Sequence, residues 1–303
     1  MLDWIAWILG HLAVTPWRVG WALTHPAAWL DWSDPLAVMR VIHYGASAQL
    51  FFFVLLVFLI LTGLGLWRHA ILWGAVRGLE GMANALGRTF AWAGLLLVLQ
   101  QIVIVVLQRI FQVSAVTVAP FGLSFSQDLS WFSESLKFYN ALVVVLCVSW
   151  TFVQGGHVRV DLVYAGVSWR AKRVLDMIGC GLFMAPLAIL VWFYGWFFLW
   201  RSLITPKVSA SDSFELLQNK ARAFRWNVET IGFSPSGFNA YFLFKILLIA
   251  FAALVLLQAM AFFWRCLLEL REGEEAIGRY HDPDRTGDEP SLAGPGMETD
   301  AAR

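Results

Sequence analysis

ESLKFYNALVVVLCVSWTFVQGGHVRVDLVY, residues 134–164, decides the fold class. Glu134 and Lys137 stand at the entrance of an apolar run that continues to Gln154. That run is long enough to cross the ~30 Å hydrocarbon core of a bilayer as one helix. It stops at a glycine pair, Gly155 and Gly156. His157, Arg159 and Asp161 follow at once, alternating with Val158, Val160 and Leu162. In an extended segment the two sets face opposite ways. A juxtamembrane turn with its charges in the headgroups is the plain reading of such a knot.

The rest of the composition agrees with a membrane setting. The chain has 303 residues, of which 59% are hydrophobic and 14% charged; its mean hydropathy is +0.65. Soluble domains are nearer 45–50% apolar and ~25% charged. With a net charge of +1, nothing in the charge balance points to nucleic acid. Seventeen tryptophans suit the headgroup level. Cys147, Cys180 and Cys266 are unclustered and sit in or beside apolar runs, as packing residues do. The N-terminus lacks the basic stretch and small-residue cleavage site of a signal peptide.

Outward from the quoted stretch, the sequence predicts an all-α integral membrane protein with about five spans and interfacial amphipathic helices. Pro16 and Arg18 break residues 2–30, which predicts two short interfacial helices, with a kinked sixth span as the alternative. Asp34 and Pro35 form a helix start that runs through Arg40 and His43 into the first span, Leu50 to Trp67. From Ala70 to Gly87, Leu72, Val76, Leu79, Ala83 and Leu86 form an apolar stripe, with Arg77, Glu80, Asn84 and Arg88 on the other side. That predicts an amphipathic helix on the membrane surface, weakened by Gly74, Gly78, Gly81 and Gly87.

The second span runs from Phe90 to about Phe111. Its Gln101, Gln108 and Gln112 share a face by seven- and four-residue steps, which predicts packing against protein. A loop covers 112–133, and the third span carries the motif. The fourth span covers about Val174 to Trp200, with a kink expected at Pro186. Loop 201–237 mixes charges with aromatics. It predicts a small docked helix, and Arg222 and Arg225 are its candidate docking residues. The fifth span is Phe238 to Trp264, with Lys245 inside it. From Glu269 onward a charged tail, rich in Gly and Pro, reads as disordered. The segments are therefore 1–33, 34–89, 90–265 and 266–303.

Eleven basic residues up to Arg285 follow spans one, three and five, against seven on the opposite side. This places the His157 motif and the C-terminus in the cytoplasm. No phosphate-binding loop, metal-ligand spacing or mid-span histidine pair is present in the sequence. Nor is there a repeat or an acidic residue within the spans, as carriers show. These absences favour a membrane scaffold without cofactor or catalytic residues. A haem or redox-complex membrane anchor and a stand-alone carrier or channel are the alternatives.

Glu134, Gly155, His157, Val158, Arg159, Val160, Asp161 and Leu162 carry a resemblance. They look like the small membrane subunit of tripartite ATP-independent periplasmic (TRAP) transporters. The likeness covers about Phe90 to Arg265, including a last span with Leu256, Leu257 and Gln258. The first ~90 residues extend beyond it. The resemblance implies a bacterial inner-membrane protein that scaffolds a large, sodium-driven elevator subunit. A periplasmic binding protein would deliver a carboxylate to that subunit. It also implies that Glu134, Gly155, Gly156, His157, Arg159 and Asp161 form a motif or partner interface.

Overall fold

One helix, Phe242–Glu272, stands at the centre of the computed structural model. Of its most apolar window 39% is buried, against 11–17% in the other long helices. The structure describes residues 2–118, 125–155, 166–230 and 237–276. In chain order the helices are α1 (Leu2–Thr24), α2 (Ala27–Leu30), α3 (Pro35–Gly45), α4 (Ala48–Trp67), α5 (His69–Arg109) and α6 (Leu129–Val153). Then come α7 (Trp169–Gly179), a π segment (Cys180–Met184), α8 (Ala185–Leu203), α9 (Phe214–Ala221) and α10 (Phe242–Glu272). Two small antiparallel pairs complete the described secondary structure, Ala115–Val118 with Phe125–Asp128 and Ile204–Thr205 with Arg225–Trp226.

Five units are long and apolar enough to cross a membrane: α4, α5, α6, the α7–α8 unit and α10. The chain is thus a helical, multi-pass membrane protein. α5 and α6 run antiparallel, α10 lies against both, and α8 packs on the other flank of α10. The C-terminal ends of α4, α6 and α10 meet the N-terminal ends of α5 and α7 at one end of the bundle, here the charged end.

Several elements differ from the sequence reading. Residues 2–24 form one helix through Pro16. Proline removes a single amide there, and the Thr15 hydroxyl donates to His11 O in the same turn at 2.7 Å. α1 rests on α4 through Trp7 and His11 against Phe52, with ring centroids 5.4 and 5.1 Å apart. The helix begun at Asp34, whose carboxylate accepts from Leu36 N–H, does not continue into the first span. It stops at Gly45, and Ser47 caps α4 separately. Its last carbonyls are satisfied from outside: Trp196 Nε1–H donates to Ile42 O and Trp192 Nε1–H to Gly45 O. Those indoles hold the end of α3 against α8.

The expected surface helix and second span are one 41-residue helix, α5, about 60 Å long. The segment boundary at 89/90 falls inside it. Gly87 does not end the helix, because its missing side chain admits Trp150 of α6. Leu72, Val76 and Ala83 of the stripe are buried as the spacing predicts, but Leu72 and Val76 are buried against α4 and α10. At the α4–α5 corner, Gly65 likewise leaves room for Leu72. Pro186 is the second residue after the π segment, and the wider turn accommodates its missing N–H. Part of the predicted 112–133 loop is the first hairpin. Glu269 to Ala276 is folded, Glu269 being buried within α10. Residues 277–303, the rest of the predicted tail, lie outside the described residues.

Candidate functional site

The charged end holds a cluster that helical spacing alone did not predict. On α5, Glu80 and Asn84 lie one turn apart on the face that also carries Gly87. On α10, Arg265 and Glu269 are likewise one turn apart. On α7, Arg173 and Asp176 are spaced by three. The bundle brings these three pairs together. Arg265 donates to Glu80 Oε2. Arg173 Nε lies 2.8 Å from Glu269 Oε2, and its Nη1 lies 3.6 Å from Asp176 Oδ2. The Arg173–Glu269 contact is close but not aligned as a hydrogen bond. Gln154, at the end of α6, donates to Asn84 Oδ1 at 3.1 Å. On the rim, Glu272 accepts from Trp73 Nε1–H at 2.9 Å and stands 3.1 Å from His69 Nδ1.

Glu80 and Glu269 retain only 4% and 2% of their exposure. This corrects the expectation that Glu80 and Asn84 face away from the packed stripe. The local signal was present, since Arg265 and Glu269 stand at i,i+4 and Glu80 and Asn84 share a face. What the sequence could not supply was the partner helix. The cluster's depth follows from α10: Phe242 to Trp264 is apolar apart from Lys245 and Gln258, about 34 Å of helix, a full hydrocarbon core. Arg265 and Glu269 therefore lie at headgroup level, where charge is cheaper to hold than at mid-membrane. Two guanidinium groups facing three carboxylates pin three helix ends. Arg265 Nε has no partner among the described residues.

The opposite end is an aromatic cap. Val38, Met39 and Ile42 of α3, Trp200 and Ile204 at the end of α8, and Leu217 and Ala221 of α9 form one buried cluster. Trp32 stacks on Trp226 at 6.3 Å, and Trp200 packs beside both. The small helix expected in loop 201–237 is α9, and it docks on α3 of its own chain. Lys245 reaches Glu229 at 2.6 Å and sits over the Phe198 ring at 4.3 Å. The Lys245 hydrogen bond holds the Glu229 carboxyl below its usual range, helped by the charges of Lys245 and Lys207 against a smaller burial penalty.

A lowered folded pKa contributes stability above the unfolded value, about 4.3, and loses it as pH falls through the folded value. Acidification below about pH 4 should therefore release this clamp. Proteolysis within 201–230 should rise there in the parent. In Glu229→Gln it should be raised already at neutral pH and change little with acid. An identical pH profile for both proteins would remove Glu229 from the clamp.

The motif residues do not form a single site. Glu134 lies in the second turn of α6 and accepts from Phe238 N–H at 2.9 Å, tying α6 to the chain entering α10. Gly155 lies past the far end of the same helix. Its φ of +71° is the left-handed turn that glycine permits, and open space surrounds its Cα. Gly156, His157, Arg159 and Asp161 lie outside the described residues. Gln101 and Gln108 are exposed. Gln112 is past the end of α5 with φ +52°, off the face assigned to it. Within the chain the amide that packs is Gln100, donating to Phe132 O and Ser135 Oγ at 2.8 and 2.7 Å. Arg222 and Arg225 are exposed on the cap, without ion-pair partners among the described residues. No family model, curated protein or solved structure matches the chain.

Proposed function

We propose that this protein is the small membrane subunit of a TRAP transporter in a bacterial inner membrane. It would scaffold a large elevator subunit that uses a sodium gradient to take up carboxylates from a periplasmic binding protein. The observation that carries the reading is the separation of charge. Charged side chains in the described spans gather toward the two ends of the bundle, and the central stretches carry no acidic or basic side chain, only the amides Gln100, Gln101, Asn140 and Gln258 and hydroxyl or thiol groups. A scaffold needs rigid ends and a lipid-compatible middle, whereas a carrier needs polar ligands at mid-depth. The run from Gly155 to Leu162 and the position of Glu134 support the family. In this reading the charged end is cytoplasmic and the aromatic cap is periplasmic.

Affinity purification of the full chain from its native membrane should bring down a larger multi-span protein in fixed proportion. Recovery of the chain alone, with solute flux in liposomes that hold nothing else, would overturn the scaffold role. A haem absorbance band in the purified complex would favour a redox anchor instead. Arg222 and Arg225 offer two exposed cations on the cap to a binding protein. Reversing both charges should slow uptake several-fold at low salt and much less at high salt, because steering is screened within about 8–10 Å. Equal uptake at every salt concentration would exclude this surface from docking.

A further inference from the structure

Between α4, the α7–α8 unit and α10 lies a cleft of about 540 Å³ whose lining is almost wholly apolar. α4 is fastened at its two ends. At one end it joins the cap through α3. At the other, Trp264 Nε1–H donates to Thr62 Oγ1 at 2.8 Å, Phe58 stacks on Trp264, and Gly65 seats Leu72. Between these fastenings α4 stands off the bundle. Phe51 and Phe58 form one wall, Gly181 and Trp192 another, and Leu256 and Phe263 the floor. The lining runs from Leu50 to Phe58 along α4 and from Cys180 to Phe193 across the π segment, about 12–20 Å. Both stretches lie within spans, so the cleft is at hydrocarbon depth. Phe51 and Gly181 are exposed, so it opens sideways out of the bundle.

We propose that this cleft is a binding site for one acyl chain of a bilayer phospholipid. Water needs two to four polar partners. The lining offers no such set: it is almost wholly apolar, the Cys180 thiol is a weak hydrogen-bonding group, and the Trp192 indole N–H is already spent on Gly45 O. A partner's transmembrane helix, 10–12 Å across, would fill more than about 1,000 Å³ over the same length. The cleft holds about half of that. An extended hydrocarbon chain is narrow and long, and it is the solvent at this depth. Leaving the cleft empty would forfeit dispersion contacts on all three walls. The acyl chain would thus act as packing material that joins α4 to the bundle. The site depends on membrane placement alone and not on the identity of a transporter partner.

Gly181 allows a direct test, because a Cβ added there meets nothing within 4 Å. Gly181→Leu should fold and fill the cleft. The full chain is reconstituted in nanodiscs of phosphatidylcholine containing a fraction with a diazirine on the acyl chain. After photolysis, adducts are mapped by peptide mass spectrometry. The parent should carry adducts on cleft residues above the level at the outward-facing Leu187 and Leu190. In Gly181→Leu the cleft adducts should fall about tenfold, the loss expected when roughly two methylenes of contact are displaced. Adducts at Leu187 and Leu190 should not change. Cleft adducts at or below the outward level in the parent, or unaffected by Gly181→Leu, would overturn the proposal. So would a membrane protein cross-linked to the cleft in native membranes and lost on the same substitution.

Discussion

Arg265→Ala should be the most damaging single substitution at the charged end, lowering stability by about 3–5 kcal/mol. The loss is not the worth of one ion pair. It comes from leaving Glu80, 4% exposed on α5, without the guanidinium that donates to it. The same helix turn also presents Glu269, which would be left to Arg173 alone. Thermal unfolding in detergent, followed by the monodisperse fraction on size exclusion, reads the effect. Glu80→Gln should cost less, since a neutral amide can stay buried with fewer partners. The double variant Glu80→Gln/Arg265→Ala should cost less than the two losses added, because removing the carboxylate charge relieves the buried group that loses a guanidinium in Arg265→Ala. Strict additivity would mean that the two side chains do not act together. A loss below about 1 kcal/mol for Arg265→Ala would place the pair with exposed salt bridges.

Gly87→Ala should lower stability by about 1–3 kcal/mol, although alanine is the better helix former by about 1 kcal/mol. A Cβ built at Gly87 would stand 2.2 Å from Trp150 Cβ and 2.3 Å from Trp150 Cγ. These are the root atoms of the side chain, so rotation of the indole cannot clear them. α5 and α6 would have to separate where they approach most closely, beside the Cys147 Sγ contact to Gly87 O at 3.6 Å. Small residues at such crossings are a general device in membrane bundles, because they let backbones touch. Gly78 and Gly81 on the same helix supply the control. A Cβ added at either meets nothing within 4 Å, so Gly78→Ala and Gly81→Ala should each raise stability by up to about 1 kcal/mol. If all three alanines stabilise alike, the α5–α6 contact at Gly87 is not close. If all three destabilise alike, helix propensity is not the governing quantity.

The membrane reading was legible because it depends only on local sums. Apolar runs of twenty residues leave a chain few ways to satisfy its backbone in a bilayer except helices. Asp34 and Pro35 were legible for a similar reason: a side-chain oxygen two residues before the amide it caps needs no tertiary help. Gly155 was legible as a sharp exit, and its φ of +71° is what a glycine there allows.

Errors arose where distant chain replaced a local rule. Pro16 and Gly87 both resemble helix breakers. Yet a proline costs one amide, and a glycine that admits a tryptophan from a neighbouring helix is held by that contact. Gln101 and Gln108 share the expected face and stay exposed on the single chain, open to a partner; within the chain it is Gln100 that finds Ser135, because the direction of approach of α6 selects which amide is buried there. Polarity alone assigned Glu80 to the solvated side. Arg265, 185 residues further on, makes its burial possible.

The sequence by itself therefore determined the class, the number of spans, several caps and the exit of α6, since each follows from interactions within one turn or from summed hydropathy. Only the tertiary structure decided three things: the cluster at the charged end, the α5–α6 crossing at Gly87, and the cleft beside α4. Each depends on atoms brought together from helices far apart in the chain. Spacing shows which residues share a face, but the packing of the whole bundle settles what that face meets.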